Sequence, residues 1–430
     1  MKNLIFLILL SLCISSCIET PNSFTHLPPG KWRGILKLTD PDAQKLNTSI
    51  NETEKVIDYF ELPFNFEVTY DDEQMHIDLI NGDEKIRVED IHLGRDKATA
   101  MDTILFDFIS FDTRMEGFYE ENFIEGYWKV PYKGKYSIQF FAKYGEDYRF
   151  YKNPTDSYNF EGDWAVTFDF DNPDSAYKAI GEFKQNGSTL NGTFRTETGD
   201  YRYLAGDAKG NKMKLSVFDG SHAFLFSGNF KNDTIVGEFR SGSHYKTKWK
   251  AHRLNKDDED FLKDPYDMTG AVTDQAVNFS FPDIDGNMIS INDKRFDNKI
   301  ALINIMGTWC PNCKDEILFL KEIKEEYPQV EIISIAFERY REKDKAIEIL
   351  KKYQNKMDFD WPIILGGYAD KSETSALLPF IDKIYSYPTL ITLNKDKTII
   401  EIHTGFNGPA TTKYKAFETE FKNKIKSLIN

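Results

Sequence analysis

Two cysteines three residues apart, Cys310 and Cys313, are the side chains of this sequence best suited to do chemistry. They stand in the stretch Trp309-Cys310-Pro311-Asn312-Cys313. Before them runs Ile300-Ala301-Leu302-Ile303-Asn304-Ile305-Met306, an apolar block short enough for a buried strand and bounded by Gly307-Thr308. After them Ile317, Leu320 and Ile323 recur at helical spacing. A strand that turns straight into a helix sets both thiols at the helix N-terminus. Unpaired backbone N–H groups and the helix dipole favour a thiolate there. Cys310 comes first and should be the more exposed, which makes it the nucleophile. Cys313, one turn deeper, should resolve the mixed disulfide. The pattern predicts a dithiol redox site.

Other uses of a CxxC fit less well. A zinc site needs two more ligands. The chain has only Cys13, Cys17, Cys310 and Cys313 as cysteines, and of its seven histidines only His403 lies in the same region. A stapling disulfide gains little chain entropy from so short a loop. Neither a metal nor a cofactor is required, because the dithiol itself carries the electron pair.

The elements that must position this pair follow in order. Val330–Ala336 reads as a strand, Lys345–Tyr353 as a helix and Trp361–Leu365 as another strand. Thr389–Leu393 and Thr398–His403 are two last strands around an Asn394-Lys395-Asp396-Lys397 turn, and Tyr414–Leu428 closes as a helix. Strands alternating with helices predict an α/β sheet over residues 277–430.

This segment resembles the TlpA/ResA branch of the thioredoxin-like thiol–disulfide oxidoreductases. The resemblance rests on Asn304 with the Trp309–Cys313 block, on Glu316, on Tyr387-Pro388-Thr389, and on the opening hairpin Phe281-Pro282-Asp283-Ile284-Asp285-Gly286-Asn287. Asp-Gly is a strong hairpin signal. The resemblance implies proton transfer by Glu316, because Asn304 stands where thioredoxin proper has a buried Asp. It implies a cis-proline loop at Tyr387-Pro388 that faces the thiols and, with Trp309, meets an incoming peptide. It also implies protein thiol and disulfide substrates, an upstream thiol electron donor, and reduction more than oxidation. Pro311 and Asn312 between the cysteines depart from the branch's usual order, which has proline second; that pair tunes the potential. A peroxiredoxin would need Thr or Ser three residues before its reactive cysteine, and Gly307 stands there.

Upstream the pattern changes. From about residue 30 to 253, aromatic and β-branched residues alternate with polar ones between Gly, Asn and Asp turns. Gly30-Lys31-Trp32 and Gly162-Asp163-Trp164 open two similar segments. Gly117…Gly126 and Gly228…Gly237 repeat one spacing within them. The reading is an all-β region of two repeated antiparallel sandwiches or barrels, residues 29–153 and 154–254. Its role is either a spacer or a module that binds a partner. In the latter case the thioredoxin-like part could be a passenger of a non-enzymatic binding lipoprotein. Asn255-Lys256-Asp257-Asp258-Glu259-Asp260 begins a charged linker, 255–276.

The N-terminus reads as an export signal. Met1-Lys2-Asn3 precedes the apolar run Leu4–Leu12, too short to span a bilayer. Ile14-Ser15-Ser16-Cys17 resembles a bacterial lipobox. That resemblance implies a signal peptide 1–16, lipidation of Cys17, and a tether 17–28 holding a periplasm-facing lipoprotein on the inner or outer membrane. Removal of Cys13 and acylation of Cys17 would leave Cys310 and Cys313 as the free thiols. With 54 Lys and Arg against 69 Asp and Glu, the net charge of −15 argues against nucleic-acid binding.

Overall fold

The computed structural model describes residues 26–41, 59–72, 74–153, 155–258, 261–272 and 274–430. The signal peptide and the Cys17 anchor lie outside the described residues.

Alternation of buried and exposed residues builds the β region, as in Asp102–Phe108, where Ile104, Phe106 and Phe108 turn inward. Its first part is a nine-stranded antiparallel meander. The opening strand, Gly30–Thr39, pairs with both Tyr59–Asp71 and the closing strand Ser137–Tyr144. The second part, also nine-stranded, repeats this plan: Gly162–Phe168 pairs with Tyr177–Asn186 and with the closing strand Tyr245–Arg253. Here Tyr177–Asn186 also pairs with Thr189–Thr196, so the sheet closes into a barrel.

The two parts share details that agree with the repeated spacing. Gly117 faces Gly126 across one strand pair, and Gly228 faces Gly237 across the equivalent pair. The Trp32 indole donates to Pro28 O at 3.2 Å, and the Trp164 indole to Phe160 O at 2.9 Å, each four residues back. Each interior is aromatic, with Trp32, Phe64 and Phe106 in one and Trp164, Phe194 and Trp249 in the other. Arg149, on the connection, locks them together. It donates to Ile80 O at 2.9 Å and to Ser216 O at 3.0 Å, and burial lowers its pKa to about 9.

The C-terminal part holds a five-stranded sheet. Its order is Ile363–Tyr368, Glu331–Glu338, Ala301–Met306, Thr389–Leu393, Ile399–Thr404. The first three strands are parallel and the last two antiparallel. Ala301–Met306 is central and wholly buried, which explains its unbroken apolar run. Helices Pro311–Glu326, Lys343–Met357, Lys371–Leu377 and Tyr414–Ile429 accompany it. Ser280–Pro282 and Met288–Ser290 form the opening hairpin. The segment expected as a linker has short 3-10 turns at Lys256–Asp258 and Pro265–Asp267. Its later residues pack on the C-terminal sheet: the buried Thr269 takes a hydrogen bond from Thr404 at 2.8 Å, and Val272 N–H donates to Phe380 O at 3.1 Å.

Candidate active site

The central strand ends at Met306, and Gly307-Thr308-Trp309 carries the chain to the helix Pro311–Glu326. Cys310 is the helix N-cap and Pro311 its first residue, where a missing N–H costs nothing. Cys310 and Cys313 are joined as a disulfide, with their Cα atoms 5.2 Å apart. The Cys313 N–H donates to Cys310 Sγ at 3.2 Å, so helix-terminal backbone polarity is aimed at that sulfur. Cys310 retains 6% exposure and Cys313 none. An incoming thiolate can therefore reach Cys310 more readily, leaving Cys313 as the departing sulfur.

The Tyr387–Pro388 peptide bond is cis. Its loop faces the pair, with Tyr387 O 3.6 Å from Cys310 Sγ. Trp309 and Tyr387 meet edge to face, ring centroids 5.5 Å apart. The Trp309 indole donates to Phe337 O at 3.0 Å. All the residues singled out near the cysteines thus come together, with Glu316 behind them and Trp309, Tyr387 and Pro388 in front.

Glu316 lies one helical turn beyond Cys313 and is fully buried. Asn304 Nδ2 donates to one of its carboxyl oxygens, and the other, Oε1, has no hydrogen-bond partner. Burial pushes its pKa up to about 8, a rise the Asn304 hydrogen bond only partly offsets. A chain of hydrogen bonds stands behind it. Trp361 Nε1 donates to Ser334 Oγ at 3.0 Å, and Ser334 Oγ donates to Asn304 Oδ1 at 3.1 Å. Asn304 is thereby turned so that its amide nitrogen must face Glu316.

A second buried acid, Glu338, is not marked by the sequence pattern. It accepts from Thr308 N–H at 3.0 Å and from Thr308 Oγ1 at 2.7 Å, holding the loop that leads to Cys310. Burial raises its pKa to about 7. No motif signals it, because its partner lies 30 residues away in the loop after the central strand.

The β region covers this face. Asn312 Nδ2 donates to Asp200 O at 3.3 Å, and Ser386 Oγ, beside the cis bond, donates to Thr198 O at 2.9 Å. Ser221 Oγ donates to Trp309 O at 3.0 Å. Arg202, buried in the second barrel, is ion-paired with Asp315 and with Glu84, the latter at 2.7 Å. The low exposure of Cys310 has this cover as one cause.

Among the described residues no group of three or more His, Cys, Asp or Glu gathers to hold a metal ion. His403 instead lies buried with Nδ1 3.0 Å from Gly405 O, and burial lowers its pKa to about 4. No helix of the described residues is long and apolar enough to cross a membrane.

Comparison with known proteins bears on residues around this site. Residues 272–402 match the AhpC/TSA family. The thiol-disulfide oxidoreductase ResA of Halalkalibacterium halodurans is 25% identical over 134 residues, 31% of this chain and 68% of that protein. The thioredoxin-like protein YneN of Bacillus subtilis is 26% identical over 132 residues, 30% of this chain and 70% of that protein. A solved thiol-disulfide oxidoreductase from Bacteroides fragilis aligns over 34% of this chain and 98% of its own, at 24% identity and a TM-score of 0.26. The chain spans about two thirds of the length of the curated relatives it matches. The AhpC/TSA match includes the dithiol and begins beyond the β region. The C-terminal part of this chain is accordingly a TlpA/ResA-like thioredoxin-fold unit of the thiol–disulfide oxidoreductase type.

Proposed function

We propose that the protein is a lipid-anchored, periplasm-facing reductase of protein disulfides, with Cys310 as nucleophile, Cys313 as resolving thiol and Glu316 as proton carrier. The Cys310 thiolate attacks one sulfur of the substrate disulfide, and the other sulfur leaves and takes a proton. Cys313 then gives up its proton, attacks Cys310 Sγ and releases the second substrate thiol. The substrate gains two electrons and two protons; the protein loses them and closes its disulfide. An upstream dithiol donor restores them by attacking Cys310, with Cys313 leaving.

The observation that carries this reading is Glu316: fully buried, one turn beyond Cys313, with one oxygen unpartnered and its pKa raised to about 8. A carboxyl group poised near the working pH can both take and return a proton. Gly307 three residues before Cys310 speaks against a peroxidatic cysteine, although the matched family is AhpC/TSA. Anchoring through Cys17 is supported by the Ile14-Ser15-Ser16-Cys17 sequence, and acyl chains in pairs give stable membrane attachment.

Trapping tests the assignment of roles. Cys313→Ala should accumulate dithiothreitol-sensitive adducts on non-reducing gels of membrane extracts, since the mixed disulfide at Cys310 then has no internal escape. Equal adducts with Cys310→Ala would reverse the roles.

A further inference from the structure

A cavity of about 460 Å³ opens where the second barrel, the first sheet and the dithiol unit meet. Such a volume, at a domain boundary and a barrel mouth, is that of a ligand site. Its walls include Tyr132, Phe224, Phe239 and Tyr245 from the β region and Trp309 and Arg339 from the dithiol unit. Trp309 directly precedes Cys310, and Ser221 holds its carbonyl in place.

The charge of this cavity opposes that of the molecule. The chain as a whole is at −15, yet no Asp or Glu lines the cavity, whereas Lys133 and Arg339 do, beside His222 and a His244 whose pKa burial lowers to about 4. Arg339 lies 3.9 Å over the Trp309 ring, and Lys133 Nζ lies 5.2 Å from the Tyr136 ring centroid. Asp219, behind the wall, accepts through Oδ1 from the N–H groups of Ser221 and His222, at 2.8 and 2.6 Å, and its Oδ2 lies 3.5 Å from His222 Nδ1. Glu338, next to Arg339 in sequence, is turned onto Thr308. Aromatic walls with cations and no carboxylate suit an aromatic side chain beside a carboxylate.

We propose that this cavity is a substrate-binding site contributed by the β region, which takes an aromatic residue flanked by an acidic one on a flexible, cystine-containing segment and so delivers its disulfide to Cys310. The inference rests on the dithiol reading above. It also accounts for the covering β region, which closes over Trp309 and the cis-proline loop yet leaves this cavity as a recognition surface beside the reactive sulfur.

The test uses the full chain, reduced and freed of reductant, mixed in single turnover with three disulfides. These are hydroxyethyl disulfide, a cystine peptide with Phe-Glu beside each cysteine, and its counterpart with Phe-Lys. In every case two protein thiols close to a disulfide as the substrate disulfide becomes two thiols. The acidic peptide should react about tenfold faster than the basic one, the effect of one charge contact. Lys133→Glu, on an exposed side chain that leaves folding intact, should remove that preference; Tyr245→Ala should slow both peptides. A redox-independent arm measures binding of the Phe-Glu peptide with serine in place of cysteine by calorimetry. Its affinity should fall about tenfold in Lys133→Glu. Equal rates for the two peptides, with hydroxyethyl disulfide still oxidising the protein, would overturn the cavity proposal and leave the dithiol reading standing. No oxidation by any disulfide, with Lys133-dependent binding of the serine peptide intact, would overturn the dithiol reading and support the cavity.

Discussion

Glu316→Gln should make the protein more stable and less active, and both effects should depend on pH. A carboxyl whose pKa is about 8 when folded and 4.5 ordinarily holds its proton more tightly in the folded state. The folded state therefore binds more protons between these values, and stability falls as pH rises through that window. Below pH 4.5 both states are protonated and the cost vanishes; above pH 8 it levels off. For one proton the linkage gives a cost of about 1 kcal/mol at pH 5 and about 3 kcal/mol at pH 7. Glutamine keeps the acceptor for Asn304 and the helix propensity but cannot ionise. Its amide nitrogen falls where Oε1 had no partner, a constant penalty of about 1–2 kcal/mol. The variant's advantage over wild type should accordingly grow by about 2 kcal/mol from pH 5 to pH 7, whatever the constant term. Thermal melts of the oxidised proteins across this range measure it. Turnover of a disulfide substrate at neutral pH should fall about ten- to a hundredfold, since the proton carrier is gone. Parallel stability curves for the two proteins would refute the raised pKa, and equal turnover would refute the proton-carrying role.

Asn304→Leu removes the hydrogen bond to the Glu316 carboxyl group, worth about 1 kcal/mol, so the pH profile of turnover should move alkaline by about 0.7 unit. Stopped-flow rates against pH check this. Glu338→Ala leaves the buried Thr308 N–H and hydroxyl unpaired and should cost about 2 kcal/mol, read as a lowered Tm with a slower reaction at Cys310. Gly405 has φ +76°, and a Cβ there would strike the Thr198 backbone. Gly405→Ala should loosen the β cover and speed alkylation of reduced Cys310 by a bulky maleimide; an unchanged rate would show that the cover does not limit access.

Much of the C-terminal unit is legible in one dimension because its signals are local. The CxxC between a strand-like block and helical spacing, the apolar central strand and the Asp-Gly hairpin each need only neighbours in sequence. Two repeated β segments are legible too, since duplicated glycines and tryptophans keep their spacing. What escapes has partners far apart in the chain. Glu338 has no signature until Thr308 is set opposite it, and Oε1 of Glu316 is an orphan only once the sheet has buried it. Closure of the second barrel depends on Tyr177–Asn186 pairing on both edges, which alternation alone does not specify. The cover over the dithiol depends on Thr198, Asp200, Arg202 and Ser221 reaching residues far along the chain. Sequence by itself determined the chemistry, because a dithiol at a helix N-terminus is a local arrangement of backbone and thiols. Only the tertiary structure decided the proton's energy at Glu316 and the route to Cys310, because burial and access are properties of what packs around a residue.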